Sequence, residues 1–332
     1  MSRIDRTHGS GGVSTSGLIR DIFQKELSNV YLDSMCDSAI VPGSSRLAVT
    51  TDSFVIRPLF YAGGDIGSLA VCGTVNDLLV AGASPEYLTA GFILEEGLDT
   101  EILRQAVHSM AESAKESGVS IVAGDTKVIE PSDPSDPGLI INTAGVGFVD
   151  KDFVLSPSKI SDGDSVIVSG SLGDHHAAIL SSRLSIKNNI ISDTAPLCDM
   201  ISNLKKEGIE LHAMRDVTRG GLATILNELS DASGCRMLLE ETSIPVSPEV
   251  SSFCRILGLD PLYMGNEGKC VFILPRPDAE RALSIIQKSR YGECAAIIGN
   301  VSSTGKGVVI RTSIGGEKTV GPLYGEGLPR IC

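Results

Sequence analysis

Two α/β domains are the fold this sequence predicts, on three observations. The chain has 332 residues, more than one hydrophobic core usually organises. Its apolar stretches alternate between strand-like runs and helical spacing, the mark of mixed α/β layers. Residues 151–163, with Ser-Pro-Ser and Asp-Gly turn chemistry, interrupt two strongly patterned regions and mark the boundary between domains.

The elements follow in order. Behind a polar, glycine-rich start, Leu18, Ile19, Ile22, Phe23 and Leu27 have the spacing of an amphipathic helix. A strand over 46–52 ends in Asp52, and a long apolar helix over about 66–81 stops at Gly82. A strand near 88–94 leads to a helix over 101–117 closed by Gly118. Val119 to Thr126 reads as strand into turn, and a Pro/Asp/Ser-rich loop over 130–138 precedes a strand over 139–149. The second unit opens with a strand at 164–169. Helices near 176–184, 195–206 and 221–232, a strand at 270–274, a helix near 278–289 and strands near 295–301 and 307–312 complete it. From Ser313 the chain is rich in Gly and Pro with no periodic apolar face, which predicts a mobile arm. The predicted division is therefore 1–35 (glycine-rich loop and helix), 36–150, 151–312 and an arm over 313–332.

A net charge of −13, with no Lys/Arg-rich block interleaved with aromatics, argues against a nucleic-acid partner. No apolar run approaches membrane-spanning length and the start has no signal-peptide core, so a cytoplasmic protein is expected. The 8 cysteines include no Cys-x-x-Cys pair, so neither zinc-ribbon nor thioredoxin chemistry is written here. Cys36, Cys72, Cys235, Cys254, Cys270 and Cys294 lie in or beside apolar stretches and read as small buried hydrophobes. Cys332 differs, because it ends the glycine-rich arm.

Three carboxylates carry the first hint of chemistry. Asp52 and Asp125 end strands, where they can equally start turns. Asp77, in Gly73-Thr-Val-Asn-Asp77, lies in an apolar helix, where burial is costly unless a cation or donors meet it. Converging hard oxygen donors suit Mg²⁺ carrying a nucleotide. The usual phosphate-loop spacings are absent: Gly265 to Cys270 and Gly299 to Lys306 both miss the Walker pattern. An ATP site must be of another kind, with His8-Gly-Ser-Gly-Gly12 either folding over phosphates or forming a flexible start.

Six segments carry a family resemblance. They are His8–Gly12, Gly63-Gly-Asp-Ile-Gly67 with Val71–Asp77, Ala123-Gly-Asp-Thr-Lys127, Met214-Arg-Asp-Val-Thr-Arg-Gly-Gly221, Asn266-Glu-Gly-Lys-Cys270 and Leu328-Pro-Arg-Ile-Cys332. In this order they resemble the HypE family of hydrogenase maturation proteins. More broadly they resemble the superfamily of aminoimidazole ribonucleotide synthetase, selenophosphate synthetase and thiamine-phosphate kinase, and the Pro-Arg-Ile-Cys ending singles out HypE. The resemblance implies a two-domain PurM-like fold, the N-terminal strands forming a β-barrel across a homodimer, with ATP in the cleft and a flexible C-terminal tail. It implies Asp52, Asp77 and Asp125 as Mg²⁺-phosphate ligands. Gly9, Gly11, Gly12, Asn76, Thr126, Asn142 and Asp216 are implied near the nucleotide.

The activity implied is dehydration of an S-carbamoyl group on Cys332 to a thiocyanate, at the expense of ATP. A HypF-type carbamoyltransferase would load the thiol and a HypC–HypD complex would accept the cyanide for hydrogenase iron. Lys127 would steady developing charge. The base would be Glu267 first, then His175 or His176, since His176 stands where the family pattern leads us to expect Gly. Read without the resemblance, Glu267 is better explained by an ion pair to Lys269. The residues after Gly315 span roughly 55 Å when extended, enough for one arm to visit two sites. Two other readings are a superfamily kinase or synthetase acting on a free small molecule, and a non-enzymatic carrier whose cysteine arm docks a partner.

Overall fold

The computed structural model describes residues 3–9, 12–34, 39, 41–151 and 153–323; Gly11, Cys36 and Cys332 lie outside the described residues. The chain forms two compact units. One takes residues up to Leu78 with Ala83–Asp150; the other takes Leu79–Gly82 and the residues from Lys151 on.

In the first unit, helices α1 (Gly12–Leu18) and α2 (Lys25–Leu27) are joined without a break by a π-helical segment, Ile19–Gln24. Leu18, Ile22, Phe23 and Leu27 are buried, as the amphipathic spacing predicts. Then come β1 (Leu47–Phe54), a short pair β2 (Phe60–Tyr61) and β3 (Gly64–Asp65), α3 (Ile66–Val80), β4 (Ala83–Glu95), α4 (Thr100–Ser117), β5 (Ser120–Ile129) and β6 (Leu139–Val149). Apolar on nearly every side, α3 has Ile66, Leu69, Val71, Val75 and Leu78 all buried. Its start is fixed by Asp65, whose Oδ1 accepts the Gly67 N–H at 2.7 Å and the Ser68 N–H at 3.1 Å. A Cβ at Gly67 would stand 1.9 Å from the Ala106 carbonyl oxygen, so glycine there is what lets α3 approach α4. Asp99 caps α4 through the Glu101 N–H, and Gly118 ends it at φ 71°.

The sheet order is β1-β6-β4-β5, antiparallel except for β4 and β5, which run parallel through the α4 crossover. It is an open sheet with β1 and β5 as edges, and this corrects the expected barrel. Closure requires every strand to be hydrogen-bonded on both sides, and no described sheet meets that condition.

The second unit contains β7 (Ser165–Val168), α5 (Asp174–Arg183), α6 (Cys198–Lys206), β8 (Ala213–Asp216), α7 (Gly221–Ser233), β9 (Arg236–Glu240), α8 (Pro248–Leu257), β10 (Cys270–Leu274), α9 (Ala279–Lys288), β11 (Ala296–Ser302), β12 (Gly307–Arg311) and β13 (Glu317–Val320). Its seven-stranded sheet has the order β13-β12-β9-β11-β7-β10-β8. Inner strands β7 and β10 are buried at every residue, which is why both read as unbroken apolar runs. At the other end, β13 pairs with β12 from Arg311–Glu317 to Val308–Val320, and Asn227 Nδ2 donates to the Val320 carbonyl at 2.9 Å. Residues 317–320, expected to be part of a mobile arm, therefore form the edge strand of this sheet. Cys72, Cys235, Cys254 and Cys270 are buried as expected, whereas Cys294 is exposed. No helix among the described residues is long and apolar enough to cross a membrane.

Candidate active site

Alternation along the strands sorts the first unit's predicted residues onto two faces of the sheet. Asp52 lies opposite Thr143, and Thr143 faces α3, donating to the Ala70 carbonyl at 3.2 Å. Thr50, two residues before Asp52 and so on the same face, donates its hydroxyl to Asp77 Oδ2 at 2.9 Å. Asp77 is half-buried, and the fully buried polar residue of that pair is Asn76. Asp125 is level with Gly91, which is level with Asn142 and through it Ser53. Asp125 and Asn142 thus share the other face. Asn142 Nδ2 donates to the Asp52 carbonyl at 2.8 Å and to Ser53 Oγ at 2.9 Å, tying β6 to the edge strand.

Asp125 is exposed and pairs with Lys127 at 3.0 Å. That ammonium, with the Thr126 backbone N–H, holds its carboxyl below the usual range despite some desolvation. The residues around it line a cavity of about 190 Å³ whose walls include Phe23, Phe92, Val122, Gly124, Asp125 and Thr126. Phe23 and Phe92 meet there with ring centroids 4.6 Å apart, so the N-terminal helical segment forms one wall. Gly9 ends a 3₁₀ turn and Gly12 opens α1. Among the described residues no group of three or more His, Cys, Asp or Glu is gathered to hold a metal ion. The three aspartates therefore do not converge as a closed carboxylate cage. The aromatic wall was missed in the sequence, because Phe23 and Phe92 have only ordinary core spacing.

In the second unit two of the motifs come together. Asp216, at the end of β8, is level with Cys270, and the Val217 backbone exchanges hydrogen bonds with Lys269 and Asn266. Asn266 is fully buried: its Oδ1 accepts the Gly173 N–H at 2.8 Å, and its Nδ2 donates to the Val217 and Met264 carbonyls. This anchors the turn that carries half-buried Glu267. Lys269 is committed elsewhere than the sequence suggested, since it pairs with Asp193 Oδ2 at 3.3 Å.

His175 and His176 head α5 inside the unit rather than on a surface. His175 is 1 % exposed with Nδ1 2.8 Å from Ser192 Oγ, and burial lowers both rings to a pKa of about 4. So placed, His175 is enclosed and burial makes it a weak base. Asp174 beside them is pushed up to about 6 by burial and by Asp193.

The family models for AIR synthase related proteins match both halves, the N-terminal domain over residues 35–149 and the C-terminal domain over 161–312. Carbamoyl dehydratase HypE of Cupriavidus necator is 44 % identical over 335 residues, covering 99 % of this chain and 95 % of that one. The crystal structure of the hydrogenase maturation protein HypE in complex with ATP superimposes with a TM-score of 0.93 at 42 % identity, covering 98 % of this chain and 99 % of that one. HypE in its complex with HypF matches with a TM-score of 0.80 at 44 % identity, covering 92 % of this chain and 99 % of that one. With the AIR synthase halves in place and the likeness running from end to end, the chain belongs to the HypE family.

Proposed function

We propose that Glu267 is the base, and the Asp52, Asp77 and Asp125 region the nucleotide site, of a carbamoyl dehydratase acting on Cys332. The chain is an ATP-using enzyme that converts an S-carbamoyl group to a thiocyanate for hydrogenase maturation. The observation that supports this most is the end-to-end likeness to HypE, an ATP-bound member included, in a chain that also has the Pro-Arg-Ile-Cys332 sequence.

Dehydrating an amide in water is uphill, so the carbonyl oxygen must become a leaving group. That oxygen attacks the γ-phosphorus in line and ADP departs. The nitrogen then gives up its two protons as the C–N triple bond forms and phosphate leaves, making S–C≡N, ADP and phosphate from thiocarbamate and ATP. Glu267 takes the nitrogen protons, since a carboxylate held on an anchored turn is positioned for it. Lys127 steadies negative charge developing on the transferred group. The aromatic-walled cavity beside Asp125 and Thr126 takes the base of the nucleotide, and backbone N–H groups of Gly9 and Gly12 serve its phosphates. Asn142, on the same face of the sheet as Asp125, meets the same nucleotide.

The donor set fits Mg²⁺: carboxylates, a hydroxyl and a carboxamide are hard oxygen ligands, and Mg²⁺ takes one or two carboxylates with phosphate oxygens rather than a protein cage. Arriving with ATP, the ion would be held by one or two of these carboxylates, Asp52 with Asp77 on the α3 face or Asp125 on the other, and would neutralise phosphate charge. A HypF-type carbamoyltransferase loads the thiol, a HypC–HypD complex receives the cyanide, and the enzyme works as a homodimer. Leu47 and Val49, 51 % and 71 % exposed on the edge strand, support a second copy.

ATP consumption tests the reading. Carbamoyl-loaded protein is expected to hydrolyse one ATP per carbamoyl group, and Cys332→Ala to show no stimulation by the loading system. Equal ATP turnover in Cys332→Ala would assign the site to a free small molecule instead.

A further inference from the structure

Glu267 sits on a turn that a neighbouring loop, Ser192-Asp-Thr-Ala195, grips at four points. The Glu267 N–H donates to Asp193 Oδ1 at 3.1 Å. Lys269 Nζ meets Asp193 Oδ2 at 3.3 Å as an ion pair off the hydrogen-bonding direction, with side chains only 9 % and 4 % exposed. The Ala195 N–H donates back to the Glu267 carbonyl at 3.4 Å. A Cβ at Gly268 would lie 1.9 Å from the Asp193 carbonyl oxygen, so only glycine lets the two backbones come this close. One carboxylate thereby spans the turn, one oxygen on the residue that bears the base and the other on the ammonium two residues later.

We propose that Asp193 is the positioning residue for Glu267, orienting the turn so that the Glu267 carboxylate reaches the reacting nitrogen while itself touching no substrate. Burial strengthens the bracket, because a charge-assisted bond in a dry site resists competition from water. The same loop holds His175 Nδ1 through Ser192 and Thr194, at 2.8 and 3.4 Å. His175 thus braces the loop from behind, which gives the enclosed histidine a positioning part instead of a catalytic one.

The inference rests on Glu267 being the base, and a double-mutant cycle separates the two. Single-turnover dehydration of the carbamoyl-loaded full chain is followed by intact mass at saturating Mg-ATP, in wild type and in Glu267→Gln, with and without a change at Asp193. Asp193→Ala is expected to slow the wild type by roughly 100-fold, the cost of about 1 Å of misplacement, with the KM for ATP unchanged. In the Glu267→Gln background the same change is expected to cost less than about 2-fold, because its effect passes through Glu267. Asp193→Asn keeps the volume and the acceptor for the Glu267 N–H and loses only the charge facing Lys269. It reads the same coupling if the alanine variant does not fold, with about a 10-fold loss expected in the wild type and none in Glu267→Gln. Equal losses in both backgrounds, or a raised KM for ATP, would make Asp193 a general structural residue. Full activity of Glu267→Gln would remove the base and the positioning role together.

Discussion

His175 and His176 illustrate how burial can decide what a residue does. Each ring carries an ordinary pKa of 6.5 when unfolded and about 4 when folded, because the interior disfavours the imidazolium. Between those values the unfolded chain binds more protons, so each ring makes stability rise with pH and fall on acidification from about 6.5 to 4. Asp174 works in the opposite sense: with its pKa raised from 3.8 to about 6, its folded form holds a proton that the unfolded form releases, which favours the fold on the acid side of that window. Two rings outweigh one carboxyl. Urea unfolding is therefore expected at lower denaturant as pH falls from 7 to about 4.5, and His176→Phe should remove most of that slope, because the remaining ring is then offset by Asp174. His176 suits the test, since its Nε2 has no hydrogen-bond partner among the described residues and its loss forfeits none. An unchanged slope in the variant would place the acid sensitivity elsewhere.

Among the elements, α3 shows a motif whose glycines and aspartate serve the fold. Gly63-Gly-Asp-Ile-Gly67 carries family likeness, yet Asp65 caps the helix and Gly67 opens the way for Ala106 of α4. Gly67→Ala must push α4 aside, and a loss of about 1 to 3 kcal/mol is expected from denaturant titration. A neutral result would mean that the helices separate freely. The elements that the sequence revealed were those with strong periodicity or clear punctuation: apolar α3, β7 and β10, and α4 with Asp99 before it and Gly118 after it. Those that escaped were short or polar. β8 is only the four residues Ala-Met-Arg-Asp, β9 starts with Arg and ends with Glu, and β13 is the charged edge Glu317-Lys-Thr-Val320. For α8 the sequence does hold a signal, Ser247 capping the Val250 N–H with Pro248 in the first turn.

At the scale of the whole molecule, the two-domain division was legible from the turn chemistry over 151–163, and motif spacing allowed candidate residues to be named. Which residues meet was not legible. Asp52 and Asp125 both end strands, but only register reveals that one faces α3 and the other the opposite face. Asp193 gave no signal, since Ser-Asp-Thr reads as a turn and its hold on Glu267 spans 74 positions of sequence. The barrel failed for a related reason: strand content is visible in one sequence, closure depends on partners for the edges. The account stands on Cys332 as the atom site of dehydration, and intact mass tests that directly. Carbamoyl-loaded protein, weighed before and after Mg-ATP, is predicted to lose one water, mapped to Cys332. A protein that hydrolyses ATP yet keeps the full carbamoyl mass would contradict it.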